Sequence, residues 1–233
     1  MSADQEKKAA ALRALELVTD GMKVGIGTGS TADHFTRGLG EKVAAGLNVV
    51  GVPTSEATAT LARSLDIPLT TLDEAGTLDL TVDGADEADT CFRLIKGGGG
   101  AHLREKIVAR ASNRMAVIVD SSKLVPTLGA FKLPVEIVPF GSEITRTQIE
   151  QGATEFGTAR PLTVSWRRSD NDTLFETDGG HYILDCAFEE IRDAEGLNRF
   201  LLTLPGVVET GLFLGLTTEI IVARGDETEI LTR

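Results

Sequence analysis

The sequence predicts an α/β fold with a mostly parallel sheet, followed by a smaller α+β module. Three observations support this prediction. In the first half of the chain, short apolar runs rich in β-branched residues alternate with helical segments of about 10–15 residues, as in repeated βαβ units. Most of these runs end in a glycine-rich or acidic turn. After Leu128, strand-like and helix-like segments alternate at closer range.

The elements of the first half follow from hydrophobic spacing and from turn residues. A first helix is predicted over residues 4–18, where apolar residues recur at helical spacing, and Asp20-Gly21 ends it. Strands are then predicted at residues 23–27, 47–52, 78–82, 92–95 and 115–119. Helices are predicted between them at residues 32–45, 57–65 and 101–111. Because ligands bind at the carboxyl ends of parallel strands, we expect the polar turns after these runs to share one sheet edge.

The second half is predicted to form the α+β module. Its strands lie within the segments PVEIVPF, RPLTVSWR and HYILDCAF, and its helices cover residues 145–152 and 189–202. Two final strands, within VVETGLFLG and EIIVARG, could pair with either part of the chain, and a return to the first domain is favoured. The predicted domains are therefore residues 1–132 plus 207–233, and residues 133–206.

Composition and charge narrow the classes of function. The chain has 35 acidic and 23 basic residues, a formal net charge of −12, and no cluster of Lys and Arg that would favour nucleic acid as a partner. No apolar run approaches the roughly 20 residues that span a bilayer, and the first residues lack the apolar core of a signal peptide. We expect a cytoplasmic protein without a membrane partner. Cys91 and Cys186 lie outside any metal-ligand spacing and are expected to be buried, reduced thiols.

The first motif with chemical content is the segment GIGTGST at residues 25–31. A glycine-rich turn between a strand and a helix leaves backbone N–H groups at the positive end of the helix, and Ser30 and Thr31 add hydroxyl donors. A P-loop lysine is missing, and the acid nearest to the second strand, Glu56, already lies at the start of the next helix, where it does not match the acid of a dinucleotide site. A phosphate cradle is favoured, with dinucleotide binding and a turn without ligand as alternatives.

The second motif is DGADE, with carboxylates at Asp83, Asp86 and Glu87. In the functional interpretation, Gly84 permits a tight turn, and Asp83 and Asp86 bind sugar hydroxyls or move protons between neighbouring oxygens. Carboxylates at such positions also cap the following segment. A metal site is a further alternative, although no histidine lies nearby in the sequence.

The third motif is Lys96 followed by four glycines, with Glu105 about one turn into the next helix. A lysine that ends a buried strand is costly unless its charge is used, and consecutive glycines indicate a close approach of the backbone to a ligand. Glu105 also suits simple compensation of the helix dipole. Lys123, in DSSK, contacts a ligand or lies in a solvated loop. Together these motifs supply an anion site, a carboxylate base and a cation, the groups needed to enolise a phosphorylated sugar.

The chain resembles the type A family of ribose-5-phosphate isomerases. The segments GIGTGSTA, VDGADE, KGGGG with REKI after it, and DSSK occur in the family's order and spacing, and the resemblance continues through PVEIVPF, GGHYILDC and PGVVETGLF. One variation is GGGGAHLREK, with an extra glycine and a histidine where close relatives often have alanine and other small residues. His102 either packs beside the glycine loop or adds a contact to the ligand.

The resemblance implies a Rossmann-like, mostly parallel sheet domain with a second, smaller ferredoxin-like α+β domain, assembled as a homodimer or homotetramer. It implies interconversion of D-ribose 5-phosphate and D-ribulose 5-phosphate in the non-oxidative pentose phosphate pathway, through an enediolate and without metal or organic cofactor. The alternatives are a sugar-phosphate sensor without turnover, and an enzyme similar to coenzyme A transferases or dehydrogenases.

The resemblance also implies roles for individual residues. Glu105 resembles the general base and Lys96 the group that stabilises the enediolate. Asp83 and Asp86 resemble the acids that hold the sugar hydroxyls, help to open the ring and shuttle the hydroxyl proton. The expected substrate-binding residues are Thr28, Gly29, Ser30, Thr31, Gly84, Ala85, Gly97, Gly98 and Gly99, with Lys7 and Lys123 as cationic helpers.

Overall fold

The computed structural model describes residues 2–225 and 227–233. In chain order its strands are β1 (Lys23–Ile26), β2 (Val50–Pro53), β3 (Leu80–Gly84), β4 (Glu87–Ala88), β5 (Leu94–Ile95), β6 (Met115–Asp120), β7 (Leu133–Ile137), β8 (Thr163–Trp166), β9 (Tyr182–Ala187), β10 (Val207–Thr210), β11 (Leu212–Phe213), β12 (Glu219–Arg224) and β13 (Glu227–Thr232). Its α-helices are α1 (Ala3–Ala14), α2 (Ser30–Ala44), α3 (Glu56–Ser64), α4 (Leu72–Ala75), α5 (His102–Arg110), α6 (Ser142–Gly152) and α7 (Ala194–Thr203).

The chain divides into two compact units. The first unit comprises the residues up to Ala85, Arg104–Leu124 and Gly215–Arg233, and the second comprises Asp86–Leu103 and Val125–Leu214. The division predicted from the sequence, into residues 1–132 plus 207–233 and residues 133–206, stays a prediction.

The first unit is built on a six-stranded sheet with the order β13-β12-β6-β3-β1-β2. All neighbouring strands are parallel except β13, which pairs antiparallel with β12. Counted along the chain, the parallel strands follow the doubly wound order 2-1-3-4-5, in which the strand order reverses between β1 and β3. The predicted α/β fold with a mostly parallel sheet is confirmed, and its switch point lies where the turns after β1 and β3 meet.

Apolar side chains on the strands and on two helices form the core of the first unit. Val24 and Ile26 on β1 are fully buried together with Phe35 and Leu39 on α2. On α1 the buried face consists of alanines, which allow the helix to pack closely. A capping box formed by Ser2 and Gln5 begins α1. The helix is shorter than predicted and continues as a 3₁₀ turn over Leu15–Leu17.

The two edge strands of this sheet, β2 and β13, have different surroundings. Beside β2, the Gly51 N–H donates to the Pro68 carbonyl at 2.8 Å and the Gly51 carbonyl accepts from Thr70 at 3.0 Å. These bonds cover the β2 edge with a neighbouring segment. At the other edge, β13 carries exposed side chains, including those of Glu227 and Glu229.

The second unit contains a four-stranded antiparallel sheet with the order β10-β7-β9-β8. With α6 after β7 and α7 after β9, the sequence of elements is β-α-β-β-α-β, the ferredoxin-like arrangement. Leu184 and Cys186 on β9 and Leu197 and Leu201 on α7 belong to its buried core. The predicted α+β character of this part of the chain is confirmed.

Two strand pairings differ from the expectation. The segment predicted as a strand at residues 92–95 was expected in the parallel sheet, but β5 belongs to a small antiparallel sheet with the order β11-β5-β4. The connection between β4 and β5 is too short for a parallel crossover, and the Asp89 carboxylate closes it by accepting from the N–H groups of Cys91 and Arg93. Of the two final predicted strands, only β12 joins the parallel sheet, because β10 pairs with β7 and β11 with β5.

The two cysteines differ in their exposure to solvent. Cys186 is buried in the second unit, and burial raises the pKa of its thiol. Cys91 is exposed because it lies in the short turn between β4 and β5, so the expectation that both thiols are buried is wrong for Cys91. Among the described residues, every helix is too short or too polar to cross a lipid bilayer.

Candidate active site

The turn from β1 into α2 requires glycine at two positions. A Cβ on Gly27 would lie 2.2 Å from Asp83 Oδ1 and 2.6 Å from Asp83 Cα, so only glycine fits this close approach. Gly29 has φ +108° and directly precedes the first residue of α2, Ser30. The first N–H groups of a helix have no acceptor within the helix, which is the feature that anion sites at helix N-termini use.

Lys7 adds a positive charge to this helix start. Its Nζ donates to the Ser30 hydroxyl at 3.1 Å, and both residues belong to the first unit. Thr31, half-buried, follows in the first turn of α2. The structure thus brings together Lys7, Ser30 and Thr31, which the sequence predicted as ligands of a phosphate group.

Asp83 lies beside the same turn at the end of β3. Its side chain is fully buried, and Oδ1 accepts from the N–H groups of Thr28 at 3.1 Å and Gly84 at 2.7 Å. The interpretation that Gly84 permits a tight turn is wrong, because Gly84 ends β3 without a positive φ and has space for a Cβ. Ala85 follows it as the last residue of this segment of the first unit.

The Thr28 side chain belongs to a cluster of hydroxyl groups that sequence reasoning missed. Its Oγ1 lies within 2.7 Å of Thr54 Oγ1, 2.9 Å of Ser55 Oγ and 3.0 Å of Thr58 Oγ1. Thr58 in turn donates to the Gly27 carbonyl at 3.0 Å. The cluster fixes the glycine turn to the start of α3. The one available signal was the polar run after the second strand, PTSEAT.

Glu105 and Lys123 complete the predicted residues of the first unit. Glu105 is only 4% exposed and lies in the first turn of α5, where the helix dipole favours its ionised form. Lys123 ends a 3₁₀ turn, Ser121–Lys123, which follows β6. Glu6 on α1 accepts hydrogen bonds from that turn, and this connection was not predicted from the sequence.

The remaining predicted residues lie in the second unit. Lys96 is 2% exposed, and its Nζ lies 5.4 Å from the centroid of the Phe213 ring, a cation–π distance. Gly97 has φ +106°. The Gly98 N–H donates to Asp86 Oδ2 at 2.8 Å, so the structure joins the DGADE and KGGGG motifs through this bond. Gly99 follows as an exposed residue.

His102 packs beside the glycine loop. A Cβ on Gly97 would lie 2.9 Å from the His102 side chain, which is itself fully buried. His102 Nε2 lies 3.5 Å from Glu136 Oε2, and the other oxygen of Glu136 accepts from the Thr177 hydroxyl at 2.8 Å. His181 Nδ1 lies 3.0 Å from that same oxygen. His102 therefore joins the loop to a buried polar cluster in the second unit.

Glu87, the third carboxylate of DGADE, binds backbone N–H groups of the second unit. It is buried and accepts from the N–H groups of Gly129 at 2.7 Å and Phe131 at 2.6 Å. Within residues 2–225 and 227–233, no group of three or more His, Cys, Asp or Glu side chains is arranged to hold a metal ion.

With this geometry in place, comparison with known proteins decides the family. The model of the family described as ribose 5-phosphate isomerase A (phosphoriboisomerase A) matches residues 50–227. Ribose-5-phosphate isomerase A of Parvibaculum lavamentivorans is 58% identical over 232 residues, which cover 99% of each chain. The chain belongs to the ribose-5-phosphate isomerase A family.

Other members of the ribose-5-phosphate isomerase A family agree in sequence and in structure. The Agrobacterium fabrum protein is 60% identical over 96% of this chain and 95% of its own. The solved isomerase of Methanocaldococcus jannaschii has a TM-score of 0.91 and 38% identity over 100% of both chains. A further solved D-ribose-5-phosphate isomerase, in complex with phospho-erythronic acid, has a TM-score of 0.93 and 36% identity over 100% of both chains.

These matches confirm the predicted family and the predicted enzyme class, an isomerase. They give no support to the alternatives of a sensor without turnover or of a transferase-like or dehydrogenase-like enzyme. The roles of individual residues stay predictions.

Proposed function

We propose that this isomerase interconverts D-ribose 5-phosphate and D-ribulose 5-phosphate through an enediolate, with Glu105 as the general base. The match to the isomerase family, which extends over nearly the whole chain, supports the type of reaction. The residue roles rest on motif position and are supported by the local geometry of each side chain.

We assign the phosphate group of the substrate to the start of α2. Ser30 and Thr31 offer hydroxyls and, with Gly29, backbone N–H groups at the positive end of a 15-residue helix. Lys7, already 3.1 Å from the Ser30 hydroxyl, supplies a charge. Lys123 is the second cation, and Thr28 shapes the turn. A local positive site of this kind is compatible with the acidic chain as a whole.

In the proposed reaction Glu105 removes the proton from C2 of the aldose and returns it to C1, while Asp83 and Asp86 shuttle the hydroxyl proton from O2 to O1. The reverse direction uses the same steps in the opposite order. The Glu105 carboxylate is almost fully buried and lies in the first turn of α5, at the positive end of the helix. Proton transfer by a positioned side chain typically supplies on the order of 10²–10⁴-fold in rate.

We assign to Lys96 the stabilisation of the negative charge that develops on the enediolate oxygen. Its ammonium group is buried, so its electrostatic effect on a neighbouring oxyanion is stronger than it would be in water. Asp83 and Asp86 hold the sugar hydroxyls and assist ring opening. Backbone groups of the second and third motifs contact the substrate at Gly84, Ala85, Gly97, Gly98 and Gly99.

The wider setting of the reaction is also part of the proposal. We expect turnover without metal or organic cofactor, in the cytoplasm, as a step of the non-oxidative pentose phosphate pathway. The expected assembly is a homodimer or homotetramer, and neither nucleic acid nor a membrane is an expected partner.

The test is a direct assay of ribose 5-phosphate conversion with and without a chelator of divalent metals. We expect ribulose 5-phosphate to form at the same rate in both conditions. A rate lost with the chelator would contradict the metal-free mechanism. Binding of ribose 5-phosphate without any conversion would contradict the proposed isomerisation and favour the sensor.

A further inference from the structure

The peptide unit that joins Gly97 to Gly98 is held at both of its polar ends by charged side chains of the second unit. Arg167 Nη1 donates to the Gly97 carbonyl at 2.5 Å, and the Gly98 N–H donates to Asp86 Oδ2 at 2.8 Å. In a trans peptide the C=O and N–H groups are coplanar and point in opposite directions. A guanidinium and a carboxylate therefore hold one rigid unit from opposite sides.

The position of the Arg167 guanidinium is itself set by Asp185. Arg167 Nε donates to Asp185 Oδ2 at 3.1 Å and Nη2 donates to Oδ1 at 2.5 Å, so the pair is bidentate. Arg167 directly follows β8, and its backbone N–H donates to the Ile183 carbonyl on β9 at 2.9 Å. A bidentate pair between neighbouring strands fixes the plane of the guanidinium as well as its place. With 12% of its side chain exposed, Arg167 is largely shielded from solvent.

The surroundings of the turn leave it little freedom. A Cβ on Gly98 would lie 2.6 Å from Asp86 Oδ1, and one on Gly100 would lie 2.5 Å from the Phe175 ring. Phe175 is tied to the same arginine, because its N–H donates to the Arg167 carbonyl at 3.0 Å. Arg167 Nη1 also lies 3.2 Å from the Gly98 carbonyl, which directs the next N–H, that of Gly99, away from the guanidinium.

We propose that Arg167, oriented by Asp185, is a positioning residue for the isomerase reaction and acts on Asp86 through the Gly97–Gly98 peptide. The inference rests on the proposed function, in which Asp86 holds the sugar hydroxyls. Glycine has wide backbone freedom, so a peptide between two glycines needs an external hold to keep one orientation. Without the guanidinium, Asp86 loses the N–H group that orients its carboxylate.

The first experiment compares Arg167→Met with Arg168→Met in the full-length protein. Arg168 is the matched control, since it is adjacent and 51% exposed and pairs with Asp172 rather than with the glycine turn. We expect Arg167→Met to lower kcat on the order of 10- to 100-fold, the scale for a misplaced catalytic group, with a smaller change in KM. Arg167→Lys should rescue little of this loss, because one ammonium cannot replace the bidentate fork. A kcat equal to that of Arg168→Met would overturn the inference.

A double-mutant cycle with Asp86→Asn separates positioning from general loss of structure. If Arg167 acts through Asp86, the kcat loss caused by Arg167→Met should largely disappear in the Asp86→Asn background. The same fold loss in both backgrounds would overturn the inference. Should Arg167→Met fail to fold, Asp185→Asn serves in its place, because it weakens the hold on the guanidinium while leaving Arg167 present.

Hydrogen exchange of the free protein tests this inference independently of the proposed function, because it requires neither substrate nor turnover. We expect faster amide exchange over residues 96–101 in Arg167→Met than in Arg168→Met. Equal exchange in the two variants would overturn the inference. Wild-type protein that fails to convert ribose 5-phosphate would instead contradict the proposed function, and the exchange comparison would still decide whether Arg167 orders the turn.

Discussion

The Glu6 carboxylate accepts two hydrogen bonds from Ser121, one from the backbone N–H at 3.1 Å and one from the hydroxyl at 2.9 Å. The Gly225 N–H donates a third at 2.9 Å. These bonds connect α1, which carries Lys7, to the turn that carries Lys123. The two cations assigned to the phosphate group thus lie on segments joined by one carboxylate.

The Glu6 contacts predict a pH dependence of stability. Hydrogen bonds from Gly225 and then from Ser121 lower the pKa of Glu6 below its ordinary value of 4.5. The ionised form therefore stabilises the fold above pH 4.5, and this contribution is lost as the pH falls through the lower folded-state pKa. We expect Glu6→Gln to lower the urea midpoint at neutral pH and the difference from wild type to shrink in acid. Glu41→Gln, at an exposed position on α2, is the control, and a pH-independent difference for Glu6→Gln would contradict the prediction.

Alanine substitutions at Gly27 and at Gly84 are expected to have very different effects on the free energy of unfolding. The new Cβ at residue 27 would overlap Asp83, including its Cα, whereas at residue 84 the nearest atom lies 3.7 Å away. Overpacking of this kind typically costs about 1–3 kcal/mol, and here the backbone must also shift. We expect a clear drop in the free energy of unfolding for Gly27→Ala and little change for Gly84→Ala, measured by urea denaturation. Equal stability of the two variants would show that the turn after β1 is not tightly packed.

Lys7 is expected to act on substrate affinity. Lys7→Met removes the cation beside Ser30, so KM for ribose 5-phosphate should rise while kcat changes less. Because the lost interaction is between charges, the KM of the variant should also depend less on salt concentration. Lys8→Met removes the same charge from the exposed neighbouring position and serves as the control. Equal effects of the two substitutions would argue against a local role of Lys7.

Glu105→Gln is expected to abolish most turnover. Glutamine keeps the shape of the side chain and cannot accept the proton, so kcat should fall on the order of 10²–10⁴-fold with a modest change in KM. Arg110→Gln, at an exposed position in the last turn of the same helix, should leave kcat near the wild-type value. Near-normal turnover in Glu105→Gln would remove Glu105 from the role of base.

Lys96 is expected to stabilise the enediolate more than the phosphate group. Lys96→Ala should lower kcat on the order of 10²–10³-fold, the effect of losing one oxyanion donor. A solved relative is in complex with phospho-erythronic acid, whose carboxylate is an anionic group separate from its phosphate group. We expect the variant to lose affinity for this acid and to keep its affinity for inorganic phosphate. An equal loss of affinity for both would make Lys96 a phosphate ligand.

The parallel sheet and the turns after its strands could be predicted because their signals are local. The runs that form β1 and β3 are apolar and bounded by glycine and acid, and a parallel sheet necessarily gathers their ends. The β5 strand has only two residues, Leu94 and Ile95, both fully buried. So short a segment has the same pattern in a parallel and in an antiparallel sheet, and its pairing could not be predicted.

The residues that sequence reasoning missed make contacts with distant parts of the chain. Arg167 lies 70 positions after Gly97, whose carbonyl it contacts, and near neighbours in the sequence do not distinguish it from Arg168. Glu6 lies 115 positions before Ser121, and in the sequence it is simply an acid near the start of a helix. Such contacts arise from the packing of elements, and a single sequence does not reveal them.

The exposed carboxylates of Glu227 and Glu229 along the outer strand β13 have a consequence for behaviour at high concentration. A strand at the border of a sheet is a template on which a foreign chain can continue the hydrogen-bond ladder. An identical molecule approaching this border would bring its own row of acidic groups and meet repulsion before any ladder formed. The opposite edge of the sheet is already paired with residues 68–70. Both edges therefore disfavour the addition of strands from other molecules.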